Sequence, residues 1–346
     1  MAAHGVSAQQ RLDVLSGFAA ILPEPCLLLD RRSIVLFRNV PASKEFPSVS
    51  EGNLLTLGLR NPTFVSALDQ ARRSGEPQSV ELHQTVPNDL WYLAHIAPLS
   101  DTDGMVAVTL RSLSEQKRVE SLRSDFIANA SHELRTPLTS LVGFIDTLLG
   151  PAANDEEART RFLGIMRQQA ARMSKLIDDL LSLSRIEMRQ HLRPTGSVEL
   201  GALLREVAEG LETQAKEAGV AIEITSEAAA TIGGDREELY EVFENLIDNA
   251  IKYGGEGGKV EVALGPGRSG FEYLVSVTDH GAGIAPEHVP RLTERFYRVD
   301  AESSRKKKGT GLGLAIVKHI LNRHRGRMVI HSRPGDGTQV EVLLLR

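Results

Sequence analysis

The chain has a single cysteine, Cys26, which excludes a disulfide framework and any multi-cysteine metal site and fits a reducing compartment. Tryptophan is equally rare, and aromatic residues as a group are few. Long apolar runs are also missing. A membrane-spanning helix needs about 20 mostly apolar residues in succession, and the best stretch, residues 12–29, is broken by Asp13, Pro23, Glu24 and Pro25. The N-terminus has no basic segment followed by an apolar run, so a signal peptide is not expected and the chain reads as soluble and cytoplasmic. Excess positive charge is absent too. A formal net charge of −5 argues against a generic nucleic-acid binder, which would carry a basic surface.

What is present divides into three zones, as the 346 residues suggest at roughly 150 per domain. Residues 12–112 open with a helical stretch at 11–22. Strand-like runs follow at 26–29, 33–37, 79–83, 91–96 and 105–110, with a helix over 62–74 between the second and third. Turn residues (Asp30-Arg31-Arg32, Pro87-Asn88-Asp89, Asp101 to Gly104) separate the runs, which predicts a small α+β domain with a five-stranded antiparallel sheet.

Residues 113–191 are almost entirely helical. Apolar residues recur by threes and fours at Val119, Leu122, Phe126, Ala130, Leu134, Leu138, Leu141, Ile145 and Leu148. Gly150-Pro151 breaks this pattern, and a second helix repeats it at Leu163, Met166, Ala170, Met173, Ile177 and Leu180. Two long amphipathic helices with a short connection form an antiparallel hairpin. A lone hairpin leaves one side of its seam open, so pairing of two copies into a four-helix bundle is the simplest way to cover it; an intramolecular bundle is the alternative.

Residues 198–346 mix helices at 200–218, 236–253 and 312–324 with strands at 220–225, 259–264, 271–278, 327–331 and 338–344. Asp235 followed by Glu238 has the spacing of a capping box. The strands connect through hairpins and single helices, which predicts a sheet with helices on one face.

Four motifs carry chemistry. His132 lies roughly 160–200° around the first long helix from Ala130 and Leu134, so it faces away from the seam. Glu133 offers a carboxylate to orient the ring, and Thr136 shares the histidine's face. Pro137 removes one backbone hydrogen bond within a turn of it. A zinc-protease reading fails, because the second histidine of that motif would stand where Thr136 is. Further on, Asn245, Asn249, Lys252 and Tyr253 follow steps of three and four along one helix edge. Their oxygens suit Mg²⁺ and their lysine suits phosphate, although a solvated face has the same pattern. Asp279-His280-Gly281-Ala282-Gly283 follows a strand and places a carboxylate beside backbone that a ligand can approach. Gly309-Thr310-Gly311-Leu312-Gly313 opens a helix whose free amides suit phosphate, with Lys306, Lys307 and Lys308 just ahead. Each glycine run alone reads equally as a plain turn. Neither a Rossmann nor a Walker spacing is present.

In this order, over residues 115–346, the set resembles the sensor histidine kinases of two-component systems. The resemblance implies that His132 accepts phosphate, with Glu133 and Thr136 as catalytic neighbours. It implies that Asn249 holds Mg²⁺, that Asn245, Lys252 and Tyr253 contact ATP, and that Asp279, with Gly281 and Gly283, reads adenine. Phe296 and Arg298, in Arg295-Phe296-Tyr297-Arg298, and Gly309, Gly311, Leu312 and Gly313 complete the nucleotide site.

The same resemblance implies a multidomain α+β protein: a PAS-like sensor over 12–112, a dimerising phosphotransfer hairpin over 113–191, and a Bergerat-type α/β sandwich over 198–346 that uses ATP and Mg²⁺. Its partners would be a second copy and the receiver domain of a response regulator, with no nucleic acid. Residues 292–300 and 318–326 are most similar to the phosphate-regulon sensor kinases. Members of that group usually carry transmembrane helices, so an alternative location is the cytoplasmic portion of an inner-membrane sensor, reaching the membrane through an upstream segment or partner. The alternatives in function are an ATPase of the same superfamily that hydrolyses ATP to drive a conformational cycle, or a nucleotide-binding scaffold that transfers nothing.

Overall fold

The computed structural model describes residues 8–84, 89–100, 102–189, 191–226, 230–299 and 309–346. The turn residues Pro87, Asn88 and Asp101, together with Asp300 and the lysines 306–308, lie outside these. Packing divides the chain into two compact units, with the division between Asp125 and Phe126.

The first unit begins with helix α1 (Ala8–Ala20), strands β1 (Cys26–Leu29) and β2 (Val35–Arg38) and the short helices α2 (Val40–Glu45) and α3 (Leu55–Gly58). Helix α4 (Pro62–Ser74) then leads to β3 (Gln78–Gln84), β4 (Leu90–Pro98) and β5 (Val106–Ser112). The five strands form one antiparallel sheet in the order β2-β1-β5-β4-β3. Strand alternation turns Tyr92, Ala94 and Ile96 of β4 and Val106, Val108 and Leu110 of β5 inward, onto Phe64, Leu68 and Ala71 of α4. Helix α4 starts and stops where its ends are satisfied: Asn61 accepts from the Phe64 N–H, and Gly75 takes the left-handed conformation. Asn39 is buried yet satisfied. Its carbonyl accepts from the Cys26 and Ala42 N–H groups, and its amide donates to the Glu24 carbonyl at 2.8 Å.

Helix α5 (Ser114–Leu149) leaves this sheet directly. The Leu113 N–H donates to the Trp91 carbonyl, the Ser114 hydroxyl accepts from the Trp91 N–H, and Lys117 lies 5.2 Å over the Trp91 ring. These contacts place the first turns of α5 with the sheet, which is why the division falls inside the helix and not before it.

In the second unit, α5 and α6 (Glu156–Met188) form the hairpin, with Phe144 and Phe162 5.2 Å apart across it. Asp155 caps α6 by accepting from the Ala158 N–H. Pro137 sits inside α5 without ending it. The apolar pattern of the hairpin has two destinations. Leu176, Leu183 and Ile186 of α6, outside the expected stripe, are buried in the core formed by residues 198–346. The stripe residues Leu138, Ile145, Leu163 and Ile177 stay 51%, 43%, 52% and 43% exposed, an uncovered apolar face.

The rest of the unit comprises β6 (Ser197–Glu199), α7 (Leu200–Ala218), β7 (Ala221–Ser226), β8 (Thr231–Gly233), α8 (Arg236–Gly254), β9 (Lys259–Pro266), β10 (Tyr273–Asp279), α9 (Gly313–Arg323), β11 (Arg327–Arg333) and β12 (Gly337–Leu344). Its main sheet runs β11-β12-β10-β9-β7, antiparallel except for the β7–β9 pair. Val260, Val262, Val275 and Val277 pack against Phe243, Leu246 and Ile247 of α8 and Ile316 and Ile320 of α9 in one core.

The expected capping box is only half formed. Asp235 accepts from the Glu237 and Glu238 N–H groups, but the carboxylate of Glu238 turns to Arg323. The Asp235 N–H, left without its reciprocal partner, donates to Nε2 of the buried His324 at 3.0 Å.

Candidate nucleotide site and phospho-acceptor helix

Helix α8, the turn after β10 and the segment opening α9 enclose a cavity of about 330 Å³. Its lining includes Asn245, Asn249, Lys252 and Tyr253 on α8, so the residues expected to share one helix edge do so. Asn245 donates to the Glu241 carbonyl at 2.9 Å, which fixes its carboxamide. Lys252 is not a free cation: its ammonium group bonds the buried carboxylate of Asp248, which also accepts from Gln214.

Asp279 ends β10 at the far side of the cavity. Burial pushes its carboxyl above the ordinary value, and the N–H groups of Gly281 and Thr338 pull the other way. The arrangement leaves a desolvated acceptor aimed at whatever donor enters. Gly254 makes room for it, since a Cβ there would stand 2.2 Å from the Asp279 Cβ. Gly283 is equally constrained: its φ is +69°, and a Cβ added to it would stand 1.9 Å from the Arg333 carbonyl oxygen.

Gly309, Thr310, Gly311 and Gly313 line the opposite wall. A Cβ at Gly313 would meet the Asn245 Oδ1 at 2.6 Å, so glycine lets the start of α9 close onto the asparagine edge.

Three expected nucleotide contacts lie elsewhere. Leu312 is fully buried, its side chain in the hydrophobic core, because the first turn of α9 points that position inward. Gly281 stands behind Asp279, donating to its Oδ1 at 3.0 Å and packing against the Tyr253 carbonyl. Phe296 turns away from the cavity. Its backbone takes φ +63°, an outlying conformation for a bulky residue, held by its N–H bond to the Gly311 carbonyl. The ring lies 5.8 Å from that of Phe126 on α5.

The turn containing Phe296 joins the cavity to the histidine. A second hollow is lined by Asn129, His132, Glu133, Arg291, Glu294, Arg295, Phe296 and Tyr297, and Tyr297 lines the nucleotide cavity as well. His132 is exposed there. Glu133 beside it accepts from Arg172 of α6 at 2.9 Å and lies 4.0 Å from Arg298, which lines the first cavity. Thr136 donates to the His132 carbonyl at 3.1 Å, keeping its hydroxyl on the histidine's face. Arg295 pairs with Glu187 of α6.

Three residues of α6 act at these sites with no motif to mark them in the sequence: Lys175 lines the first cavity, Asp179 bonds the cavity residue Thr310, and Arg172 bonds Glu133. They look like ordinary polar positions of an amphipathic helix, and only the packing of α6 on the core formed by residues 198–346 brings them in. Thr310 and Tyr297 stand inside their motifs, but the motifs name no partner for either.

Comparison with known proteins accounts for this pairing of hairpin and cavity. Residues 122–189 match the His Kinase A (phospho-acceptor) domain, and residues 234–346 match the Histidine kinase-, DNA gyrase B-, and HSP90-like ATPase family. The chain belongs to the sensor histidine kinases. It is 38% identical over 282 residues to the phosphate regulon sensor protein PhoR of Pseudomonas aeruginosa, covering 81% of this chain and 62% of that protein. It is 36% identical over 241 residues to the sensor protein kinase WalK of Staphylococcus saprophyticus, covering 70% of this chain and 39% of that one. The chain thus spans under two thirds of the length of either relative. Its fold is like that of histidine kinase ThkA, solved in complex with response regulator protein TrrA, with a TM-score of 0.52 and 19% identity over 93% of this chain and 96% of that one.

No described helix is long and apolar enough to cross a membrane.

Proposed function

We propose that the chain is an ATP-dependent protein-histidine kinase that phosphorylates itself on His132 and passes the phosphoryl group to an aspartate of a response regulator. The observation that carries this reading is Tyr297, which lines both the nucleotide cavity and the hollow around His132, so a single short turn separates the two.

ATP is the substrate of the cavity. Asp279 accepts from the adenine amino group, and Asn245, Lys252, Tyr253 and the amides around Gly309, Gly311 and Gly313 surround the rest of the nucleotide. Mg²⁺ fits the donor set. Among the described residues no group of three His, Cys, Asp or Glu side chains gathers to hold a metal, but the Asn249 carboxamide faces the cavity. A hard cation that keeps water and phosphate oxygens as its other ligands needs little more. Bound there, Mg²⁺ offsets phosphate charge.

Glu133 orients the imidazole so that one ring nitrogen attacks while the other holds its proton. Arg172 and Arg298 in turn hold the carboxylate in place. Thr136, one turn on, is suited to position water for hydrolysis of the regulator's aspartyl phosphate, which is the phosphatase half of the reading.

Residues 12–112 serve as a PAS-like sensor, residues 113–191 as the dimerising hairpin and residues 198–346 as the catalytic domain. The uncovered stripe through Leu138, Ile145, Leu163 and Ile177 supports a homodimer with a four-helix bundle. The relation to PhoR supports a phosphate-regulon type of signal, and a cytoplasmic location fits the ATP and regulator partners, whether or not a membrane segment is attached.

Incubation with γ-labelled ATP tests the proposal. The chain acquires label, His132→Ala does not, and purified receiver domains discharge the labelled chain. Persistent labelling of His132→Ala, or ATP hydrolysis without any labelling, contradicts it.

A further inference from the structure

Helix α6 reaches the nucleotide cavity itself. Lys175 lines the cavity, and its Nζ lies 3.8 Å from the Asp248 carboxylate that Lys252 already bonds. Two ammonium groups thus stand at the edge of the cavity and share the carboxylate of Asp248, with the buried Asp179 carboxyl also within their reach, so a phosphate entering the cavity meets both of them. Four residues on, along the same face of α6, Asp179 accepts from the Thr310 hydroxyl at 2.6 Å. Thr310 stands between Gly309 and Gly311, in the segment that closes the cavity from the other side. Between the two, Leu176 is 3% exposed in the ATPase-like core, so this turn of α6 is anchored.

Resting on the nucleotide reading above, we propose that Lys175 is a phosphate contact contributed by the hairpin, brought to the cavity by the Asp179–Thr310 bond. Nucleotide phosphates and the docking of α6 then stabilise one another, because a ligand that binds the docked arrangement better draws the equilibrium toward it. A surface lysine of α6 with no ligand role would have no reason to matter to nucleotide binding. Adenine, held at Asp279, is insensitive to the contact; only the charged part of the ligand feels it.

The test uses the whole chain with Mg²⁺, titrating ADP by calorimetry and adenosine by competition. Lys175→Met weakens ADP about five- to tenfold, as loss of a charge-assisted contact does, and leaves adenosine unchanged. Lys175→Arg stays within about twofold of the parent for ADP. Asp179→Ala also weakens ADP selectively, and the double variant Lys175→Met/Asp179→Ala is no weaker than Lys175→Met alone. Unchanged ADP affinity in Lys175→Met, equal loss for adenosine, or fully additive effects of the two substitutions would each overturn the contact. Failure of the parent chain to bind ADP would overturn the nucleotide reading, and the contact with it; the two failures are therefore distinct.

Discussion

Arg172 and Glu133 are bonded across the helical hairpin at 2.9 Å, with the carboxylate one residue from His132. Arg172 touches neither cavity, so its effect on the reaction passes through the orientation of Glu133. Arg172→Met is expected to slow labelling of His132 about tenfold at saturating ATP, with ADP affinity unchanged. Arg172→Lys, which keeps a charge but loses the planar fork, recovers part of the rate. Equal rates in the parent and Arg172→Met would remove Arg172 from the mechanism.

The two glycine contexts make opposite predictions. Gly283→Ala puts a methyl group where the Arg333 carbonyl already is, at a positive φ, and is expected to cost about 2 kcal/mol or more of stability. Gly17, in α1, has nothing within 4 Å of its added Cβ, so Gly17→Ala is expected to stabilise by about 0.5–1 kcal/mol. Thermal unfolding of both variants checks the pair; a neutral Gly283→Ala would contradict the packing described.

His324 makes stability pH-dependent. Burial holds its pKa below the ordinary 6.5, against the opposing pull of the hydrogen bond it donates to the Ile320 carbonyl, and its other nitrogen accepts the Asp235 N–H. Protonation destroys the acceptor. With the folded value below the unfolded one, the contribution of the neutral ring is complete above about pH 6.5 and is lost as pH falls through the folded value. The loss is about 1.4 kcal/mol per pH unit between the two. Urea midpoints from pH 8 to 5 are expected to fall more steeply for the parent than for His324→Gln; parallel curves would show that the histidine is not the cause.

The uncovered hairpin stripe predicts association. Sedimentation of the parent chain is expected to give twice the chain mass. Leu138→Glu, at a residue 51% exposed, shifts it toward the monomer without loss of helix content. A parent chain that sediments as a monomer would contradict the bundle.

Much of this was legible in the sequence where local rules and tertiary needs agree. The 200–218 helix appears with the expected limits because Glu199 caps its start, Gly219 ends it in the left-handed conformation, and its apolar face is continuous. Strands β6 and β8, three residues each, have no period to read and exist only by pairing with one another. Leu312 sits between two glycines and Phe296 within Arg295-Phe296-Tyr297-Arg298, but neither motif says which way the side chain points. The backbone of Phe296, held by Gly311, turns its ring to the hairpin, and the first turn of α9 buries Leu312. Leu176, Leu183 and Ile186 form a second apolar face on α6 that is hidden behind the stronger hairpin stripe. Lys175 and Arg172 depend on that face being covered.

Tandem mass spectrometry of the ATP-treated chain at neutral to alkaline pH, with fragmentation that preserves phosphoramidates, tests the phospho-acceptor assignment most directly. The expected result is an acid-labile phosphate on His132, absent when Asn249 is replaced by Asp or when ATP is replaced by ADP. Phosphate on any other residue, or ATP turnover with His132 unmodified throughout, would contradict it.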